Sequence, residues 1–325
     1  MSIRNKAFDM GLLNSRSYDI PVIAVGNLNV GGTGKSPMIE YLIRLFNTSN
    51  HTAVLSRGYG RKTKGFLLAT DGCTALDLGD EPFQFFRKFQ NVVIAVDEKR
   101  VRGIDKLQQL KPDLDLVLLD DAFQHRYVKA GKYLLLTAYD QLYTDDYMLP
   151  TGNLREPRKG ASRADLIIVS KCPSSLSDAR QIEIRKQIAP KEHQKVFFSS
   201  IEYDNFIYSG DEKIAVDQLK AHKILLVTGI ANPKPLIEFL QKNELEIEHI
   251  KFSDHEFINK DQQEAISSSF ANLEGENKII LTTEKDYVRS FLELTFPIYY
   301  LPIQMLILEE EEKFNEIIRN YVRKN

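Results

Sequence analysis

The sequence predicts an α/β protein built on a mostly parallel sheet, followed by a second, smaller α/β domain. Three observations predict it. Short β-branched or leucine-rich runs alternate with helical patterns along nearly the whole chain, as repeated βαβ units require. The runs are almost continuously apolar, which suits strands buried on both faces. A glycine-rich stretch, "NVGGTGKSP" (29–37), separates the first run from the first helical pattern.

Taken in order, the predicted strands are "PVIAVG" (21–26), "TAVLSR" (52–57), "NVVIAV" (91–96), "LDLVLLD" (114–120), "KYLLLTA" (132–138), "ADLIIVSK" (164–171) and "KVFFSSI" (195–201). "RKTKGFLLATDG" (61–72) breaks this rhythm with charge and glycine and is predicted to be a small hairpin excursion. A polar stretch, "EYDNFIYSGDEK" (202–213), ends the first series. The pattern then restarts with "KILLVTG" (223–229), a helix from about Pro233, "IEHIKF" (247–252), a helix near 260–273, "KIILTTEKD" (278–286) and "IYYLPI" (298–303). A charged helix closes the chain, its start marked by the acidic run from Glu309 to Glu312, where negative charge suits the helix dipole. The expected domains are therefore 1–209 and 210–325.

Composition narrows the function. With 325 residues, 43% of them hydrophobic and 27% charged, the chain can bury two ordinary cores. Its net charge of −2 carries no global signature of a nucleic-acid binder, so an anionic ligand must be met by local basic clusters. Cys73 and Cys172 stand far apart with no second thiol near either, which argues against a disulfide framework or zinc site and fits a reducing cytosol. The amino-terminal residues carry scattered charges, and no apolar run of spanning length follows.

A phosphate cradle needs glycines so that backbone N–H groups can converge on an anion, a lysine for the terminal phosphates, a hydroxyl for magnesium and a helix starting there. Asn29, Val30, Gly31, Gly32, Thr33, Gly34, Lys35 and Ser36 supply this series between a strand and a helix of about 36–46. Only Asn29, where glycine is usual, departs from the common pattern. The fold thus becomes one of phosphate-loop NTPase type. A carboxylate at the end of a buried strand is the expected second part, and "LDLVLLDDAFQH" offers Asp120 and Asp121. Guanine recognition usually takes [NT]-K-x-D. "SKCP" (170–173) has the lysine without the aspartate, and "TEKD" (283–286) has the wrong spacing, so ATP is the expected nucleotide. From these residues alone, another phosphate-loop small-molecule kinase or ATPase, or a nucleotide-gated adaptor, remains open.

The ordered set "VGNLNVGGTGKSP", "LSRGYGR", "GDEP", "DDAFQH", "NLREP" and "FSDHEF", with "GIANP" (229–233) and "TTEKDYVR" (282–289), resembles the tetraacyldisaccharide 4'-kinase family of lipid A biosynthesis from about Ile3 to the end. The resemblance implies two α/β domains joined by a small β-hairpin linker. It also implies transfer of the ATP γ-phosphate to the 4'-hydroxyl of a membrane-held acylated glucosamine disaccharide 1-phosphate. Residues 29–36 would hold ATP, with Lys35 on the β/γ-phosphates and Ser36 near Mg2+. Asp80 would be paired with His255 as a base dyad, completed when the two domains close. Glu81 and Asp120 would lie near the metal, and Arg100 near the γ-phosphate. Asp121, Gln124, His125, Arg155 and Glu156 would surround the headgroup or the transferring phosphoryl. Arg57 and Tyr59 would meet the substrate within a basic segment that includes Arg61, Lys62, Lys64 and Phe66 and suits anionic headgroups. Ala122 stands where the family usually has glycine. The family's hydrophobic amino-terminal helix would end about where this chain begins. The expected location is cytoplasmic, peripheral at the inner face of the inner membrane.

Overall fold

The structure, a computed structural model, describes residues 2–46, 49–254, 256–292 and 296–324. In chain order the elements of the first series are α1 (Ser2–Asp9), β1 (Val22–Asn27), α2 (Lys35–Phe46), β2 (Thr52–Ser56), β3 (Leu67–Leu68), α3 (Ala75–Leu78), α4 (Asp80–Lys88), β4 (Val93–Val96), α5 (Arg100–Leu110), β5 (Leu116–Leu119), β6 (Lys132–Ala138), β7 (Leu166–Ser170), α6 (Asp178–Ile188) and β8 (Lys195–Tyr203). There follow β9 (Phe206–Ser209), β10 (Glu212–Ala215), β11 (Lys223–Thr228), α7 (Lys234–Lys242), β12 (Ile247–Lys251), α8 (Lys260–Asn272), β13 (Lys278–Thr283), α9 (Glu284–Asp286), β14 (Ile298–Leu301), β15 (Ile303–Leu308) and α10 (Glu311–Arg323).

The chain divides into two compact units, one made of Met1–Ile201 with Met305–Asn325 and the other of Glu202–Gln304. Among the described residues the first unit's sheet has the order β15-β8-β7-β6-β1-β5-β2-β4-β3. From β2 through β8 the pairings within it are parallel, except that β3 runs antiparallel to β4. Successive residues of β1 point to opposite faces, as a pleated strand requires. Ile23 and Val25 pack with Met38 and Leu42 of α2 and Phe314 and Ile318 of α10, while Val22 and Ala24 pack with Ile104 and Leu107 of α5. Both faces are therefore covered, which explains why the strands read as unbroken apolar runs.

Two expectations are corrected here. The closing segment, assigned from sequence to the second domain, belongs to the first: β15 hydrogen-bonds to β8, and Met305, Ile307, Phe314, Ile318 and Val322 enter the first unit's core. Their apolar side chains are satisfied there, which makes residues 202–304 an insertion between 201 and 305 rather than a carboxyl-terminal domain. The segment 61–72 forms no hairpin of its own. It contributes the two residues of β3 as an antiparallel edge to β4.

In the second unit the sheet order is β10-β9-β14-β13-β11-β12, with β11 to β14 mutually parallel and β9–β10 an antiparallel hairpin. Asp286, beyond β13, ties this unit's loops together. It accepts from the Gly229 backbone N–H at 2.9 Å and the Thr283 hydroxyl at 2.8 Å, and pairs with buried Arg289 at 2.8 Å. Arg289 in turn donates to the Glu256 carbonyl at 3.2 Å. The "GIANP", "SDHEF" and "TTEKDYVR" strings therefore meet at one buried ion pair. Among the described residues, no helix is long and apolar enough to cross a membrane.

Candidate active site

The glycine-rich segment leaves the buried end of β1 and enters α2 at Lys35. Gly31 and Gly34 adopt φ of 112° and 80°, a region that side-chain-bearing residues avoid, and this lets consecutive N–H groups turn toward one point. The loop is pinned from outside. The Asn27 amide donates to the Thr33 hydroxyl at 2.8 Å and to the Gly31 carbonyl at 3.3 Å, Ser170 Oγ donates to the Thr33 carbonyl at 2.8 Å, and the Val30 N–H donates to the Asn153 carbonyl at 2.7 Å. Asn29, the unusual first position, is buried and donates to Asp146 at 2.8 Å, so its side chain anchors the loop from below. The first turn of α2 carries no acidic residue to compete for its free N–H groups.

Beside it, β5 delivers Asp120 and Asp121. Asp120 is buried and accepts from Ser56 Oγ at 2.9 Å. Burial, the Glu81 charge and the Asp121 charge together push its carboxyl up to about 6. Asp121 turns outward with φ of 43° and receives both Nη groups of Arg155 at 2.8 and 2.9 Å, with Lys35 Nζ at 3.8 Å. Burial opposes its ionisation, but the Arg155 hydrogen bond and the Lys35, Arg155 and Arg100 charges hold it well below the usual carboxylate range. Arg155 also donates to the Asn27 side chain. Fully enclosed Arg100 donates to the carbonyls of Asp97 at 2.5 Å and Asp120 at 3.0 Å. Burial lowers its pKa to about 10, still cationic at neutral pH. His125 is kept neutral by burial and by the Arg100 charge, its pKa falling to about 3.

Asp80 and Glu81 open α4. A Cβ on Gly79 would lie 2.7 Å from the Tyr59 carbonyl, so the "RGYG" turn after β2 lies against the glycine that precedes Asp80. That close approach joins the two motifs. It also sets Arg57 close enough for its charge to act on Arg100 and His125, while Tyr59 is 71% exposed.

The structure thus brings together the loop, Lys35, Arg57, Glu81, Arg100, Asp120, Asp121, His125 and Arg155, with Asp80 next to Glu81 in the first turn of α4. Two further expectations take on a different aspect, and one lies outside the described residues. Gln124 and Glu156, expected around the headgroup or the transferring phosphoryl, are buried. Glu156 is fully buried between Arg163, Gln124 and Asn5, at 2.8, 3.0 and 2.9 Å, and Gln124 also donates to the Asn27 carbonyl at 2.7 Å. A carboxylate so occupied positions its neighbours. In the basic segment Arg61 is turned inward onto Glu98 and the Gly65 carbonyl, and Phe66 packs toward the core beneath β4 and β5, leaving Lys62 and Lys64 exposed. His255 lies outside the described residues.

Sequence reasoning missed Asn27 and Arg163. Asn27 interrupts the apolar run at the last residue of β1, and that polar intrusion was its only signal. Arg163 sits in a 3₁₀ turn, Arg158–Arg163, with nothing in the sequence to mark it.

A glycine loop pinned between a strand and a helix, with a lysine at its end and two aspartates just beyond the adjacent strand, defines a phosphate-loop NTPase type of protein. The sequence model of the tetraacyldisaccharide-1-P 4'-kinase (LpxK) family matches residues 1–323, and the chain belongs to that family. A tetraacyldisaccharide 4'-kinase of Flavobacterium johnsoniae is 51% identical over 100% of this chain and 94% of its own, and one of Bacteroides thetaiotaomicron is 44% identical over 100% and 90%. The crystal structure of LpxK from Aquifex aeolicus in complex with ATP is similar over 99% of this chain and 94% of its own, with a TM-score of 0.76 at 27% identity.

Proposed function

We propose that this chain transfers the γ-phosphate of ATP to the 4'-hydroxyl of tetraacyldisaccharide 1-phosphate in lipid A biosynthesis. The observation that carries the reading is the convergence of Lys35, Asp120, Asp121 and Arg155 at the carboxyl ends of β1 and β5, with Asp80 and Glu81 at the start of α4. Phosphoryl transfer asks a protein chiefly for positioning and charge stabilisation. Residues 29–36 cradle the triphosphate, and Lys35 neutralises its terminal groups. The oxygens of Ser36, Asp120 and Glu81 are hard donors that would suit Mg2+, and the burial and carboxylate repulsion that raise Asp120 are what a divalent cation would offset. When bound, Mg2+ neutralises charge on the β/γ-phosphates.

Asp80 accepts the proton of the attacking hydroxyl, with His255 as its orienting partner. The fixed charges of Arg100 and Arg155 stabilise the equatorial oxygens of the transferring group. Arg57 and Tyr59 meet the headgroup. Because the acceptor is membrane-held, this reading has the enzyme working as a peripheral protein on the cytoplasmic face of the inner membrane. Met10 and Leu12, each 72% exposed, are suitable side chains for touching that surface.

The test is incubation with ATP, Mg2+ and detergent-solubilised disaccharide 1-phosphate, followed by mass analysis. The expected product carries one added phosphate, formed only with Mg2+ present and lost in Lys35→Ala. Equal transfer by Lys35→Ala would remove the loop from the reaction.

A further inference from the structure

Between β6 and β7 the chain passes through "YMLPT" (147–151), five consecutive exposed residues that open with three large apolar or aromatic side chains. Tyr147 is 65% exposed, Met148 36% and Leu149 52%. The backbone imposes this exposure. Asp146 accepts from the N–H groups of Tyr147 at 2.8 Å and Asn153 at 2.9 Å, and the Met148 carbonyl accepts from those of Thr151 and Gly152 at 3.1 Å. The Leu149 N–H donates to the Leu154 carbonyl at 3.0 Å, and the Leu154 N–H to the Tyr147 carbonyl at 2.8 Å. A Cβ on Gly152 would lie 2.4 Å from Asp146 Oδ1 and 2.5 Å from the Tyr147 carbonyl, so the turn is closed tightly. The three side chains are thereby held out in water as a short apolar tip.

The same carboxylate ties the tip to the phosphate loop. Asp146 Oδ2 accepts from the Asn29 amide at 2.8 Å, and the Asn153 carbonyl accepts from the N–H of Val30, itself an exposed apolar residue, at 2.7 Å. Cations flank the tip. The Arg158 guanidinium stands 5.3 Å from the centre of the Tyr147 ring and donates to the Asp146 carbonyl at 2.9 Å, and Lys159, next in the chain, is exposed. Of the neighbouring acids, Asp146 is buried in the hydrogen bonds above and Asp145 is bonded to Gln187 of α6. An apolar tip rimmed by cations is complementary to a bilayer with anionic headgroups. Three partly covered side chains fall short of the about 800 Å² per partner that a stable protein interface buries, whereas a lipid surface takes up single apolar side chains one by one.

We propose that Tyr147, Met148 and Leu149 form a membrane-inserting tip, with Arg158 and Lys159 among the headgroups, and that this tip sets the phosphate loop at the surface of an anionic bilayer. It is a second contact, on the loop before β7, besides Met10 and Leu12 beyond α1. The inference rests on the reading that the acceptor is membrane-held.

The chain contains no tryptophan, so Tyr147→Trp places a single fluorescent reporter on the tip of the full chain. With vesicles of phosphatidylethanolamine and phosphatidylglycerol, its emission is expected to shift to the blue and to be quenched by bromine-labelled acyl chains. Leu110→Trp, at the exposed end of α5 just before β5 and so at the opposite edge of the sheet, is expected to show neither. Without either reporter, Tyr147→Ser combined with Leu149→Ser is expected to weaken vesicle partitioning about tenfold. Lys159→Gln is expected to weaken it about fivefold on the anionic vesicles and to leave it unchanged on phosphatidylcholine alone. An unshifted signal from Tyr147→Trp in vesicle-bound protein would overturn the proposal. So would an equal shift from Leu110→Trp, or undiminished partitioning of the Tyr147→Ser, Leu149→Ser variant. These signals need neither ATP nor turnover, and failure of the kinase reading shows separately, as absent transfer to detergent-solubilised disaccharide 1-phosphate.

Discussion

At the residue scale the candidate site holds neighbouring ionisable groups in different states. Asp121, clamped by Arg155 and Lys35, stays ionised, and Asp120, buried beside Glu81, rises to about 6. His125, whose pKa falls to about 3, is neutral in the folded protein and titrates near 6.5 once unfolded. Between those two values the unfolded chain binds the extra proton, so His125 removes stability as pH falls below about 6.5. Asp120 acts in the opposite sense. Its folded pKa is the higher one, so its contribution is fully present below about 4 and is lost as pH rises toward 6. His125→Gln should therefore flatten the loss of stability between pH 7 and 5. Chemical denaturation midpoints measured at both values check this, and an identical pH dependence in the two proteins would show that His125 is not held neutral.

Elements explain how such residues come together. The βαβ rhythm was readable because the sheet is covered on both faces, and Lys132–Ala138 matches its predicted run residue for residue. Helix α2 was readable because a phosphate loop must end in one. The closing strand β15 was not, because its largely apolar IQMLIL runs on directly from "IYYL" with only Pro302 between, and only its pairing with β8 shows which sheet it completes. Helix α10 illustrates the same point. Its charged face gave a helix from sequence, but Phe314, fully buried edge-on to Phe197 at 5.2 Å and Tyr41 at 5.7 Å, locks it to the first unit. Phe314→Ala should cost about 3–5 kcal/mol, measured by urea unfolding followed on the first unit. A loss under about 1 kcal/mol would mean that α10 is dispensable to that core.

For the whole molecule, residues 202–304 are inserted in sequence between the two segments that make up the first unit. The "GDEP" and "DDAFQH" strings belong to the first unit and the "SDHEF" string to the second, so the expected dyad draws one member from each. Much of the first unit's site was legible because its chemistry depends on short strings: a glycine loop, a strand-end aspartate pair, a helix-opening acid. The roles of Gln124 and Glu156 were not, since a string cannot show that a carboxylate will be enclosed by an arginine 7 residues further on.

The most direct measurement is steady-state turnover on the disaccharide 1-phosphate for Asp80→Asn, His255→Ala and the double variant, each confirmed folded. The account predicts that each single variant loses about a hundredfold or more in kcat with the KM for ATP little changed, and that the double loses no more than the worse single, because a base and its orienting partner act as a unit. Either single variant retaining more than about a tenth of normal turnover would contradict it.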